Sequence, residues 1–329
     1  MNAAPAVIEV TRLKKYFSLP RRYPGQPVSN VHAVDGVSFT ISRGETLSLV
    51  GESGCGKSTV GRTILGLLKP TAGEVRLDGI RIDNLSPGKL RPLRRRMQVV
   101  FQDPVSSLNP RLRVRQILAE PIANFALART RSDLSERVQA LLEKVRLPAD
   151  AARRFPHEFS GGQRQRIGIA RALATEPELI ICDEAVSALD VSVKAQVVNL
   201  LADLQNELGL SLLFITHDLA IVEHLTHRVA VMYLGRIVEA ADRQSLFSRP
   251  FHPYTQALLS AVPVADPGSV RRRTILKGEV PSPVALPAGC RFHTRCPHVF
   301  ARCRTEEPEL RPVGQAQWVA CHLEARPGA

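Results

Sequence analysis

The residues best suited to chemistry sit in two glycine-hinged turns and one acidic strand end. Gly51-Glu52-Ser53-Gly54-Cys55-Gly56-Lys57-Ser58, followed by Thr59, has the full Gly-x4-Gly-Lys-Ser pattern of a phosphate-binding loop. Glycines let backbone N–H groups converge on a β-phosphate without Cβ clashes, and a helix that starts there points its positive end at the anion. Lys57 suits the β- and γ-phosphates of ATP, and the Ser58 hydroxyl suits Mg²⁺. Leu179-Ile180-Ile181-Cys182-Asp183-Glu184 is an apolar run ending in two acids. Asp183 suits the same Mg²⁺, and Glu184 can polarise an attacking water as general base. Standing alone, these acids would read as solvated carboxylates at a strand end. Phe159-Ser160-Gly161-Gly162-Gln163 opens a second helix, predicted over 163–174. Its start is an anion site with nothing in its own chain to bind, although a lone Ser-Gly-Gly-Gln is also an ordinary helix N-cap. Together, in this order, the two turns imply an ATPase whose working site is shared between two copies of the domain.

A phosphate loop needs a strand before it and a helix after it, and the chain supplies both. Residues 37–42 alternate like a half-buried strand, Arg43-Gly44-Glu45 reads as a turn, and 46–50 runs as a strand into Gly51. Residues 59–68 have helical spacing and stop at Lys69-Pro70. Over 104–158 the texture becomes helical. Val114, Ile117, Leu118 and Ile122 recur at helical spacing, with Pro121 expected to interrupt them. Asp133 with Glu136 reads as a capping box, before a stripe of Val138, Leu141, Leu142 and Val145. The α/β pattern resumes with strands at 179–182, 211–215 and 229–233, and with a helix carrying Val197, Leu201, Leu204 and Leu208 that Gly209 closes. From about residue 260, Pro263, Pro267, Pro281, Pro283 and Pro287 punctuate a loop-rich tail.

At 329 residues, with 44% hydrophobic and 23% charged content, the composition is that of an ordinary globular protein. No apolar run approaches membrane-spanning length, and residues 1–10 lack the basic and apolar regions of a signal peptide, so a cytoplasmic location is expected. The net charge of +13 fits a polyanionic partner and equally an ordinary solvated surface. One stretch is locally dense: Lys89, Arg91, Arg94, Arg95, Arg96, Arg111, Arg113 and Arg115 against the single acid Asp103. With 5% aromatic residues the chain lacks base-stacking platforms, so a membrane-proximal face suits this cluster better than a nucleic-acid groove. The tail holds Cys290, Cys296, Cys303 and Cys321, away from Cys55 and Cys182. In a reducing compartment such a set argues for metal over disulfides. The spacings lack the Cys-x2-Cys chelate of zinc ribbons; four thiolates suit a [4Fe–4S] cluster, with zinc and reduced structural thiols as the alternatives.

These motifs, in this order and over nearly the whole chain, resemble the ATP-binding subunits of ABC transporters. The resemblance implies an α/β P-loop fold with a RecA-like core, an antiparallel β subdomain and a helical insertion over about 104–175. ATP and Mg²⁺ are the implied ligands, bound by 51–59. Gln102, in Val99-Val100-Phe101-Gln102-Asp103, matches the glutamine loop, implied to contact Mg²⁺ and to couple to membrane subunits. Ser160, Gly161, Gly162 and Gln163 match the signature that meets ATP held on the opposing subunit, with Phe159 in place of the commoner Leu. Ser187-Ala188-Leu189-Asp190 matches the loop crossing the dimer interface. His217 matches the switch histidine at the γ-phosphate, and Phe17 the aromatic that stacks on adenine, with Tyr16 as the adjacent candidate. Read without the family, His217 is a strand-end histidine making one hydrogen bond.

A narrower resemblance rests on Pro156-His157-Glu158-Phe159, on 184–192 and on His252-Pro253-Tyr254-Thr255-Gln256-Ala257-Leu258-Leu259. These are similar to the second ATPase subunit of oligopeptide/dipeptide importers, whose tail is associated with an iron–sulfur cluster. That implies an ATPase domain over 1–260 and a small C-terminal domain over 261–329. It also implies a heterodimer with a sister ATPase, two membrane permeases and an extracytoplasmic peptide-binding protein, with this subunit peripheral on the cytoplasmic face of the inner membrane. The rival reading is a non-transport ABC ATPase acting on nucleic acid or ribosomes; the chain neither fuses two ATPase halves nor inserts a long coiled coil, and no nucleic-acid partner is expected.

Overall fold

The computed structural model describes residues 5–20, 28–262, 276–314 and 316–323, with the side chains of 104 and 105 excepted. Residues 1–4, Pro263 and Pro267 lie outside that set. Among the described residues twelve strands run in chain order: β1 (Ala6–Ser18), β2 (Asn30–Ser42), β3 (Thr46–Val50), β4 (Ala72–Leu77), β5 (Ile80–Arg81), β6 (Met97–Val100), β7 (Leu179–Asp183), β8 (Ser211–Thr216), β9 (Arg228–Tyr233), β10 (Arg236–Asp242), β11 (Arg311–Pro312) and β12 (Gln317–Val319). They form an antiparallel sheet ordered β2-β1-β4-β5 and an eight-stranded sheet ordered β11-β12-β10-β9-β3-β8-β7-β6.

The large sheet is parallel from β9 through β3, β8 and β7 to β6. β3, β7 and β8 are buried at every position because both of their faces are covered. Their side chains alternate between two cores, as the two-residue strand period demands. Leu179, Ile181, Leu213 and Ile215 join Leu47, Leu49, Val60 and Ile64 beneath the antiparallel sheet. Ile180, Cys182, Leu212 and Phe214 face the other way, onto Val114, Ile117, Leu142, Ile167 and Leu201. An unbroken apolar run is therefore what a strand in this middle layer requires.

Three helices differ from their sequence reading, the first of them running Lys57–Ile64 where 59–68 was expected. Val114–Asn124 continues through Pro121. Pro121 sits in the last turn, and burial of Ile122 (1% exposed) on the same face offsets the single backbone bond it removes. The helix Arg131–Lys144 starts ahead of Asp133. Thr130 is its N-cap, with Thr130 Oγ1 accepting from Asp133 N (3.1 Å) while the Asp133 carboxylate accepts from Arg129 N (2.9 Å). The Thr130–Asp133 link therefore runs one way, and the Asp133 carboxylate reaches back past the cap to the residue before it.

The C-terminal segment adds β12 antiparallel to β10, pairing Glu239 with Val319, and β11 beyond it. Its Phe292 is 1% exposed and packs with Tyr233, Tyr254 and Val50 in a third core directly behind the phosphate loop.

Candidate active site

Parallel strands deliver their carboxyl ends to one edge of a sheet, and the loops there make the crevice. β3 delivers the phosphate loop, β7 Asp183 and Glu184, β8 His217, and β6 the segment with Gln102. The turn into the loop is tight enough to demand glycine. Gly51 adopts φ +150°, and a Cβ there would lie 2.2 Å from Met232 O. Gly56 adopts φ +107° with Ala33 O 2.0 Å from the same virtual atom. The helix Lys57–Ile64 begins directly behind it, so its first N–H groups face the loop.

Lys57 is 3% exposed, and its Nζ donates to Gly51 O (2.7 Å) and Glu52 O (2.9 Å), which holds an ammonium inside the loop where phosphate oxygens would enter. Ser58 Oγ donates to Asp183 Oδ1 at 2.6 Å across 125 residues of sequence. Arg62 Nε stands 3.9 Å from the other Asp183 oxygen. A hydroxyl and a carboxylate side by side are hard oxygen donors, the set that fits Mg²⁺. Glu184 adopts φ 51° and is tied by its N–H to Ile215 O (2.9 Å). That turn aims its carboxylate at His217, with Oε1 3.5 Å from Nδ1. The Glu184 side chain is 15% exposed and that of His217 is 53% exposed. Burial pushes the Cys55 thiol up and lifts Cys182 to about 12, so both stay neutral and neither serves as a nucleophile.

Gln102 is exposed just past β6, where Gln165 Nε2 donates to Phe101 O (3.3 Å) and steadies the strand end. Ser160 caps the helix Gly161–Leu173 reciprocally: Gln163 N donates to Ser160 Oγ (3.3 Å) and Ser160 N to Gln163 Oε1 (3.0 Å). Gly162 lies against Val193, just past Asp190, which opens the helix Val191–Leu208. Among the described residues no hydrogen bond or ion pair joins 160–163 to the phosphate loop. Of the two aromatic candidates, Phe17 has a free-standing ring, 37% exposed with Lys15 Nζ 4.9 Å over it. Tyr16 donates its hydroxyl to Asp35 and leans on His32 with ring centroids 4.3 Å apart. Burial and the Asp35 carboxylate push the Tyr16 phenol up to about 12, so it stays a donor.

Of the basic cluster, Arg94 and Arg95 donate to the carbonyls of Gly66 and Thr175, and Arg96 pairs with Glu178 and Asp78. Those three are struts between elements as much as surface charge.

The expected iron–sulfur cluster is corrected, and zinc with it. Among the described residues no group of three or more His, Cys, Asp or Glu side chains is arranged to hold a metal ion. Cys303 and Cys321 are buried and Cys290 and Cys296 half-buried, all four as free thiols. Burial lifts Cys290 to about 11 and Cys321 to about 12 and raises Cys296 as well, so these three stay as neutral thiols.

Sequence reading missed Tyr254 and Arg295, which reach the loop at Glu52, and Arg291, which joins Asp35. Their partners lie hundreds of residues away, and no local spacing signals such contacts.

A parallel sheet with this phosphate loop and these two acids at one edge defines a P-loop nucleotide-hydrolysing domain. The ABC transporter family model matches residues 34–187, and the model described as oligopeptide/dipeptide transporter, C-terminal region, matches 238–303. A probable peptide ABC transporter ATP-binding protein of Sinorhizobium fredii is 55% identical over 97% of this chain and 90% of its own. The oligopeptide transport ATP-binding protein AppF of Bacillus subtilis is 53% identical over 96% of this chain and 97% of its own. Among solved structures, cbiO1 from Clostridium perfringens, part of the ABC transporter complex cbiONQ, superposes with a TM-score of 0.65 at 28% identity, covering 74% of this chain and 92% of that one. MJ0796, a bacterial ABC transporter cassette solved as a dimer, gives 0.63 at 29% identity, covering 72% and 98%. The chain belongs to the ATP-binding subunits of the ABC transporter family, and its activity is that of an ATPase coupled to transport.

Proposed function

We propose that this chain is the ATP-hydrolysing motor subunit of an importer that takes di- and oligopeptides across the cytoplasmic membrane. The observation that carries the chemistry is the coming together, at one sheet edge, of Ser58 with Asp183 (2.6 Å) and Glu184 with His217 (3.5 Å). The cargo rests on the likeness to peptide-transport subunits and on the C-terminal match. The same likeness disfavours the nucleic-acid alternative.

In this reading the loop N–H groups of 51–59 and Lys57 bind the phosphates, Phe17 stacks on adenine, and Ser58, Asp183 and Gln102 hold Mg²⁺. When bound, Mg²⁺ neutralises charge on the β- and γ-phosphate oxygens and helps orient them. Glu184 takes a proton from the attacking water, and His217 fixes the γ-phosphate and the Glu184 carboxylate relative to one another. Ser160, Gly161, Gly162 and Gln163 form a charged-ligand site with nothing in its own chain to bind, which supports a role against ATP held by a second ATPase. Asp190 sits beside that face, and Val191 after it is 85% exposed. The partners are a sister ATPase in a heterodimer, two membrane permeases and, through them, an extracytoplasmic peptide-binding protein. No helix among the described residues is long and apolar enough to cross a membrane, which suits a peripheral place on the cytoplasmic face.

The test is uptake of a labelled dipeptide and of a longer peptide into vesicles carrying the assembled complex with ATP inside or outside. ATP-dependent uptake that stops with Lys57→Ala in this chain is expected. Uptake indifferent to that variant, or co-purification with nucleic acid in place of permeases, would overturn the reading.

A further inference from the structure

Glu52 is an acid within a loop that must accept polyphosphate, and every polar group it has is engaged. Its N–H donates to the Tyr254 hydroxyl (2.8 Å), and its carbonyl accepts from Lys57 Nζ (2.9 Å). Its carboxylate receives both terminal nitrogens of Arg295, at 2.7 and 3.0 Å, from 243 residues further along the chain. The Arg295 side chain is 8% exposed and that of Glu52 27%.

One aromatic cluster seats both clamps. Phe292, three residues before Arg295, meets Tyr233 edge-on with centroids 5.3 Å apart and lies 5.4 Å from Tyr254. Tyr233 and Tyr254 touch at 4.8 Å, and the Arg295 guanidinium lies 6.0 Å from the Tyr233 ring. Two residues past Tyr233, Gly235 N donates to Cys55 O (2.9 Å) inside the loop. A planar guanidinium held this way fixes a carboxylate in both position and charge. Without it, Glu52 is a partly buried, unpaired anion that repels incoming phosphates and competes for the Lys57 ammonium.

We propose that Arg295 is a positioning residue of the ATP site: the C-terminal segment neutralises and immobilises Glu52, so that the phosphate loop is held in its binding shape by the far end of the chain. This rests on the ATPase reading above. A purely adhesive pair between the tail and the rest of the chain would instead change stability and leave nucleotide affinity alone.

The experiment measures, on the assembled complex, the Kd for a non-hydrolysable magnesium–ATP analogue and kcat at saturating ATP. Arg295→Met is expected to raise Kd about tenfold, equal to about 1.4 kcal/mol, and to leave kcat within about twofold. Adding Glu52→Gln removes the stranded charge and is expected to return Kd to within about threefold of the unmodified complex. An unchanged Kd in Arg295→Met, or a rise that Glu52→Gln does not reverse, overturns the proposal. Should Arg295→Met alone not fold, a folded double variant with near-normal Kd supports the stranded-charge account, and failure of both variants to fold or bind refutes it. A lack of analogue binding by the unmodified complex would count against the ATPase reading itself.

Discussion

Glu184→Gln separates binding from chemistry more cleanly than any other single change. Glutamine has the shape of glutamate, and the backbone tie from residue 184 N to Ile215 O keeps the side chain aimed at His217. The oxygens suited to Mg²⁺, on Ser58 and Asp183, are untouched. What the amide lacks is the capacity to take a proton from water. Loss of a general base costs about 10²–10⁴ in rate, or roughly 2.7–5.5 kcal/mol of transition-state stabilisation. At 15% exposure no replacement base enters freely, which favours the upper half of that range. Steady-state and single-turnover hydrolysis in the assembled complex should therefore fall by about 10³, with the Kd for ATP within about threefold of normal. Retained ATP should also trap the two ATPases together, detectable by size or cross-linking. A turnover within tenfold of normal would refute the general-base assignment. A Kd raised more than tenfold would show instead that Glu184 belongs to the binding set.

Three further outcomes are expected. Gly56→Ala forces a Cβ to 2.0 Å from Ala33 O at φ +107° and should lower stability by about 2–4 kcal/mol; an unchanged denaturation midpoint would contradict this. His252 is 1% exposed with Nδ1 accepting from Tyr254 N (3.1 Å), and burial lowers its pKa from 6.5 to about 3. The unfolded chain thus takes up a proton below pH 6.5 that the folded chain refuses until about 3, so stability present at neutral pH is lost on acidification through that window. The slope is about 1.4 kcal/mol per pH unit, and His252→Gln should remove it from the stability–pH curve. Ser160→Ala deletes a helix cap worth about 1 kcal/mol. In the complex it should depress hydrolysis of the sister subunit's ATP more than that of ATP on this chain's own loop; equal effects on both sites would argue against a shared site.

The phosphate loop was readable because its requirements are local: a strand, glycines at 51 and 56, and a helix start at Lys57 lie within a dozen residues or so. The apolar runs of β7 and β8 announced a sheet covered on both sides for the same reason. Reading failed where local rules compete with packing. Pro121 stays in a helix because Ile122 beyond it is buried, and Thr130 outbids Asp133 as N-cap because its hydroxyl is placed at the Asp133 N–H. The tail cysteines invited a metal from their number and spacing, and neither says whether the side chains are arranged as a ligand set.

The amino-acid order alone thus determined the class of chemistry, since glycines, lysine, serine and strand-end acids carry their meaning in spacing of a few residues. Only the tertiary structure decided which acid meets which hydroxyl, that Phe17 and not Tyr16 leaves its ring exposed, and that the last fifty residues reach back to the first glycine loop through Arg295 and Glu52. The physical reason is range. Dihedral preferences and caps act over one turn of chain, whereas ion pairs and aromatic packing act between whichever residues the sheet brings together.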